Sequence, residues 1–283
     1  MGKTSIEDSQ HIIFADTLYS ALCLEAVSEN KLEQFLESDI RLSDAFPYKG
    51  NELYLPKPIV PISTLEQYAA KKAFKRLSYI PSYMLDDFLA GCFTPDDAEY
   101  YGDMRFGVSQ IVSKLNVKDY DNSDSYEVGV YHFEKDAGLY IIATENSLLE
   151  TLLQSLSYTG IGGKKNSGYG KFSLEKEDLP EEISTKISIE ASRYMTLSTS
   201  LPKEDEIDKA IEEATYQLIK RSGFVYSNTY SDIASLRKKD LYVLSAGSIV
   251  QNKYEGDIYD VSHENGHHPI YRYAKGMFLG IGQ

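Results

Sequence analysis

The sequence predicts an α+β protein built from two small sandwiches of the ferredoxin type, one over residues 1–179 and one over 180–283. Three observations lead there. The chain has 283 residues, long enough for two domains or one large one. Its apolar share of 42% suits a packed core and is too high for a disordered chain. A strand–helix–strand succession occurs once before Pro180 and again after it.

Within the first half, Leu18, Ala21, Leu22 and Ala26 share one face of a helix over about 16–27, with Asp16 or Thr17 as its cap. A short helix over 31–36 follows Asn30. Pro56, Pro58 and Pro61 exclude a continuous helix over 46–61. Residues 64–90 return to helical text, with Lys71, Lys72, Lys75 and Arg76 as a basic stretch. Phe106–Leu115 and Tyr126–Phe133 are rich in Val, Ile, Tyr and Phe and flank the polar run 119–125, which predicts a hairpin with a long loop. A short strand over 138–143 leads to a helix over 147–158 with Leu148, Leu149, Leu152, Leu153 and Leu156 inside. A strand over 170–175 closes the half. A ferredoxin-type unit should open with a strand, and residues 1–13 make a poor one; that strand is expected to lie outside this sequence or to be supplied differently.

In the second half the pattern predicts a strand over 194–199 and a helix over 203–220. The inner face of that helix would carry Ile207, Ala210, Ile211, Ala214 and Leu218, and its outer face is acidic and solvated. Strands over 241–250 and 270–279 complete the half. No short-period repeat or low-complexity tract appears.

The composition excludes several classes. Asp and Glu number 43 against 29 Lys and Arg, a formal charge of -14, which argues against a chain coated in nucleic acid and does not exclude a local basic groove. Cys23 and Cys92 are the only cysteines, too few for a disulfide framework or a cysteine zinc site. No window is apolar enough for a membrane span and no signal peptide is visible at the start, so the expected compartment is the cytoplasm. Trp is absent, and the 23 Tyr and 11 Phe supply stacking faces for RNA or protein as well as core.

The most informative stretch is 159–171, TGIGGKKNSGYGK, with five glycines, three lysines and no acid. Lys165 follows Gly163–Lys164 where a Walker loop needs Ser or Thr, and Lys165 or Ser173 replaces the third glycine of a dinucleotide fingerprint. A helix ends at this loop, so its dipole does not favour phosphate there. Anion binding would come from backbone N–H groups of a glycine nest and from Lys164, Lys165 and Lys171. Glycines let a polyanion approach the chain closely and lysines track phosphates without reading sequence. Asn166 and Ser167 suit phosphate or 2′-hydroxyl contact. A helix cap followed by a solvated turn is the plainer reading, and one cap does not need five glycines.

The run YTGIGGKKNSGYGKF at 158–172 resembles the glycine-rich loop of the RAMP proteins of CRISPR systems. FADTLYSALCLEA at 14–26, SDAFPYKGNELYLPKP at 43–58, SYEVGVYHFEKDAGLYIIA at 125–143, KRSGFVYSN at 220–228 and HHPIYRYAKGMFLGI at 267–281 resemble, in order and over essentially the whole chain, the family of fourth subunits of the Csm effector complexes of type III-A systems. Members of that family begin with a strand ahead of the position of Gly2. The resemblance implies two facing ferredoxin-like (RRM-like) domains, a thumb-like hairpin mapping to about 106–133 and a glycine-rich loop mapping to 160–170. It implies a ribonucleoprotein subunit of antiviral and anti-plasmid defence without catalysis of its own. Its partners would be the repeat-derived 5′ tag of the crRNA, target RNA near the thumb, the large subunit with its Palm domains, and the backbone RAMP subunits. No membrane, cofactor or metal is implied.

On this basis the expected RNA-contacting residues of the loop are Gly160, Gly162, Gly163, Lys164, Lys165, Asn166, Ser167, Gly168, Tyr169 and Lys171. In the second half, Arg221, Lys238, Lys239 and Arg272, with Arg237 beside them, interleave with Phe224, Tyr226, Tyr271 and Tyr273, the pairing of charge and flat faces that a single-stranded RNA groove requires. Arg221, Phe224, Lys238, Lys239, Tyr271 and Arg272 are the candidates there, with His268 from the adjoining loop. The enzymatic alternative is a metal-independent, repeat-specific endoribonuclease using His11 as general base. No acid for the leaving oxygen is tied to His11 by the sequence. His263, His267 and His268 lie in loop text that lacks the helical context of a zinc motif.

Overall fold

The computed structural model describes residues 12–61, 70–119, 122–225 and 236–282. His11 and Tyr226 fall outside these. Helix α1 (Ala15–Ser28) comes first, capped by the backbone of Phe14 with no side-chain cap. This corrects the expected cap. Asp16 lies inside the first turn and turns away to the second half, while the Ala15 N–H donates to Asp44 Oδ1 at 2.8 Å. A helix at Leu32–Glu37 follows.

Strands β1 (Phe46–Lys49), β2 (Glu52–Pro56), β3 (Tyr79–Pro81) and β6 (Ala137–Tyr140) form an antiparallel sheet in the order β3-β2-β1-β6. The helical text expected over 64–90 is correspondingly interrupted. A helix at Lys71–Arg76 stops at Leu77, β3 pairs with β2, and a helix at Leu85–Leu89 resumes. Pro81 disfavours helical backbone at Ile80, and the free edge of β2 provides the alternative. The helix Pro95–Asp103, absent from the sequence reading, opens with a capping box between Thr94 and Asp97.

The hairpin is longer than expected. β4 (Gly107–Asp119) and β5 (Asn122–Phe133) pair from Gly107↔Phe133 to Asp119↔Asn122, so most of the polar run 119–125 is strand rather than loop. Tyr120 and Asp121 lie outside the described residues. The helix Ser147–Thr159 buries Leu149, Leu152, Leu153 and Leu156, with Leu148 half-buried. Residues 171–180 are irregular, which overturns the strand expected at 170–175. Phe172 and Leu174 alternate correctly but remain exposed at 37% each, with no partner strand among the described residues.

In the second half a helix Glu181–Ser188 precedes β7 (Arg193–Thr196), the centre of a sheet ordered β10-β7-β13 with β10 at Ile249–Val250 and β13 at Phe278–Ile281. The helix expected over 203–220 shrinks to Ile207–Ile211. Glu213 sits at φ 47°, Thr215 exchanges backbone hydrogen bonds with Ile249, and β8 (Leu218–Arg221) pairs with β9 (Leu241–Leu244). The apolar spacing fits a helix, but Thr215, Tyr216 and Ile219 suit strands, and available ladder partners decide the outcome. The strand expected over 241–250 divides into β9 and β10. That expected over 270–279 becomes β12 (Tyr271–Tyr273), which pairs with β11 (Ile258–Asp260), and the start of β13.

The halves are knitted together. One core joins Phe46, Leu55 and Ile80 of the first half to Met195, Leu197 and Leu279 of the second. Another packs α1 and the Ser147–Thr159 helix around Tyr273, whose hydroxyl accepts from the Leu42 N–H at 2.8 Å. Arg41 reaches the Glu255 carboxylate and the carbonyls of Glu255 and Gly276. Asp44 Oδ1 also accepts from the N–H and hydroxyl of Thr199, both at 3.0 Å. Among the described residues no helix is long and apolar enough to cross a membrane.

Candidate nucleic-acid interface

The glycine-rich loop is presented by the Ser147–Thr159 helix. Asn146 caps that helix by accepting from the Leu148 and Leu149 N–H groups, and four buried leucines seat it on α1. Its last turn is held by the buried Glu25 of α1, which accepts from Ser155 Oγ and Thr159 Oγ1, each at 2.7 Å.

The glycines then divide by physical role. Gly160 (φ 84°) and Gly170 (φ 77°) form a neck closed by Ile161 N–H donating to the Gly170 carbonyl at 3.0 Å. A Cβ on Gly170 would stand 2.0 Å from the Ile161 oxygen, and one on Gly160 2.9 Å from that of Tyr169. A Cβ on Gly162, Gly163 or Gly168 would meet no heavy atom within 4 Å. Gly162 and Gly168 hold positive φ, so they shape the tip, and the tip is open to whatever approaches it. Between them Lys165–Ser167 makes one 3-10 turn. Asn166, Ser167 and Lys171 are exposed and Lys165 is half-buried.

The loop leans on the hairpin through two reciprocal contacts. Lys164 Nζ lies 4.5 Å from the centre of the Tyr126 ring, and Lys114 Nζ lies 4.6 Å from that of Tyr169. Lys114 and Tyr126 are directly opposed in the β4–β5 register. The sequence reading singled out neither. Both lie within the predicted strands, but which residues face each other across the hairpin depends on where it turns, and that register is set by the fold.

A second basic group gathers at the amino-terminal end of α1. Arg221 grips Asp16 with Nε and Nη2 at 2.9 and 2.7 Å, and Arg272 Nη1 donates to Asp16 at 2.8 Å. Arg221 also lies over the Phe14 ring. Lys238 lies within electrostatic reach of both guanidiniums; burial and these neighbours push its amine below the usual lysine range. Phe224 is 63% exposed and bridges to Arg237. Lys239 is exposed, with its N–H on the Val261 carbonyl. Tyr271 is half-buried on β12, and His268 is half-buried with its ring against the Pro269 carbonyl. Arg221, Lys238 and Arg272 thus converge.

The structure does not merge them with the loop. Asp16 and Glu25 stand at opposite ends of α1, about 14 Å apart along its axis. Among the described residues no three His, Cys, Asp or Glu side chains are grouped to hold a metal ion.

Comparison with known proteins places this geometry. The CRISPR system Cms protein Csm4 of Mycobacterium tuberculosis (strain H37Rv) is 38% identical over 99% of this chain and 93% of its own length. The chain belongs to the Csm4 family. The Csm4 protein of Streptococcus thermophilus is 32% identical over 99% of this chain and 94% of its own. The family called the CRISPR Csm4 C-terminal domain matches residues 189–281, which span β7 to β13. A crystal structure of a Csm3–Csm4 subcomplex of the type III-A CRISPR-Cas interference complex matches with a TM-score of 0.65 at 20% identity, covering 96% of this chain and 94% of that one. A Csm1–Csm4 cassette in complex with cA3 matches at 0.58 and 18%, covering 95% and 91%. These structural likenesses establish a Csm4-type fold, in keeping with the α+β class read from the sequence.

Proposed function

We propose that this Csm4-family chain is a non-catalytic RNA-binding subunit of a type III-A interference complex. It anchors the repeat-derived 5′ tag of the crRNA through the loop 160–171 and docks the large Palm-domain subunit and the backbone RAMP subunits. Target RNA passes near the β4–β5 hairpin. The observation that carries the reading is the loop itself: a neck closed by two glycines, an open glycine tip and three lysines without an acid. Such a surface admits a phosphate backbone closely and meets it with charge. Support for the assembly comes from the related crystal structures, which pair Csm4 proteins with Csm3 and with Csm1.

The test is binding of labelled repeat-derived RNA across a salt series. Lys164→Ala with Lys165→Ala is expected to lower the slope of log K against log salt by about 1.4, since each phosphate contact on a single strand contributes about 0.7. Wild-type affinity and slope in the double variant would sink the loop assignment. Running the same samples on denaturing gels addresses catalysis. Intact RNA is expected, and site-specific cleavage lost in His11→Ala would replace the scaffold reading with the endoribonuclease one.

A further inference from the structure

The group around Asp16 is more than a seam between the halves. Arg272 is 6% exposed, yet its Nε has no hydrogen-bond partner among the described residues. Lys238 is half-buried within electrostatic reach of Arg221 and Arg272, and among the described residues no carboxylate lies within ion-pair distance of its amine. Lys220 and Arg237 stand close by. Of the acids nearby among the described residues, Asp16 is shared by the two arginines, Asp44 is taken up by Ala15 and Thr199, and Asp240 pairs with Lys220. Among the described residues, Arg221, Arg272 and Lys238 set against Asp16 therefore leave a surplus of two positive charges, at the amino-terminal end of a 14-residue helix whose dipole adds to it. Crowding cations in a partly desolvated place is costly unless something negative completes it.

What completes it is indicated by the neighbouring face. Gly223 accepts the Lys238 N–H at 2.9 Å, and the next residue, Phe224, turns an exposed ring to solvent. Cation and bare aromatic ring lie on paired backbone, the combination that holds a phosphate and its base. An acidic peptide would use the cations and have no need of the ring.

We infer that Arg221, Lys238 and Arg272, ordered by Asp16, form a seat for one phosphodiester of single-stranded RNA, with Phe224 stacking an adjacent base. The seat rests on the RNA-binding reading above and is separate from the glycine loop, at the other end of α1. Arg221 and Arg272 are held ready by the carboxylate, and Lys238 supplies a charge that no carboxylate among the described residues pairs.

The experiment measures the full-length chain with labelled repeat-derived single-stranded RNA over a salt series. Lys238→Gln is expected to reduce the salt slope by about 0.7 and weaken binding about fivefold near 0.1 M salt. Lys238→Arg should retain the slope, and Phe224→Ala should weaken binding about tenfold with the slope unchanged. Wild-type slope and affinity in both Lys238→Gln and Phe224→Ala would overturn the seat, including the case where the cations instead receive an acidic protein. If those variants behave as expected while the loop double variant binds normally, the seat stands and the loop reading fails; the reverse result removes only the seat.

Discussion

The two cationic regions at either end of α1 solve the same electrostatic problem differently. At the loop, Lys164 and Lys171 are exposed, the backbone is glycine, and the cations rest on tyrosine rings or in water. Around Asp16, two arginines are withdrawn from solvent and locked in a fork by a carboxylate that is itself 6% exposed. The loop keeps its charge mobile and its backbone approachable. The other site spends folding energy to fix geometry in advance. A lysine needs no partner to stay hydrated, whereas a buried guanidinium does. The Asp16 site is therefore tied to the stability of the whole chain, and the loop is held by its own neck and by its two contacts with the hairpin.

The contrast can be broken most forcefully at Asp16. Asp16→Asn leaves Arg272 and half of Arg221 uncompensated, and is expected to cost about 3–5 kcal/mol of stability in denaturant unfolding. A loss below about 1 kcal/mol would mean the pair behaves like a surface bridge. Next comes Asp44, whose carboxyl is pushed up to about 6 by burial against the opposing hydrogen bonds from Thr199 and Ala15. Because the folded value is raised above the unfolded one, the favourable contribution is full below about pH 4 and lost as pH climbs through 6. Asp44→Asn keeps an oxygen acceptor for the same donors. It should abolish about 2–3 kcal/mol of pH-dependent change between pH 4 and 7, read as melting temperature against pH. An unchanged profile would reject the assignment to this group.

The smallest effects belong to the loop. Gly170→Ala forces a methyl onto the Ile161 oxygen at positive φ and is expected to cost about 1–3 kcal/mol, with faster hydrogen exchange confined to 160–170. Gly163→Ala meets no atom within 4 Å, so its stability should stay within about 0.5 kcal/mol. Equal costs at the two positions would erase the distinction between neck and tip.

Legibility in the sequence followed locality. The helix Ser147–Thr159, its leucine face and the glycine run were readable because cap, periodicity and turn chemistry lie within one short segment. The Thr94–Asp97 capping box is equally local. The strand at 79–81, the shortened helix at 207–211 and the absent strand at 170–175 went differently because each depended on whether a distant edge was available. Among the candidate site residues, Arg221, Lys238 and Arg272 stand out by their interleaving with aromatic residues and by the family resemblance, whereas Asp16 reads as a cap. The 205 and 256 residues separating it from Arg221 and Arg272 put that partnership beyond any local pattern.

By itself, then, the sequence determined the α+β character, the hairpin, the glycine-rich loop with its lysines, and membership signals strong enough to point at one family. Tertiary structure alone decided which apolar runs became strands, which glycines close a neck and which leave a tip open, and which charges are bound to each other rather than offered to a ligand. The physical reason is range: propensity, capping and periodicity act over a few residues, while ladder pairing and burial of charge depend on partners that only folding brings within reach.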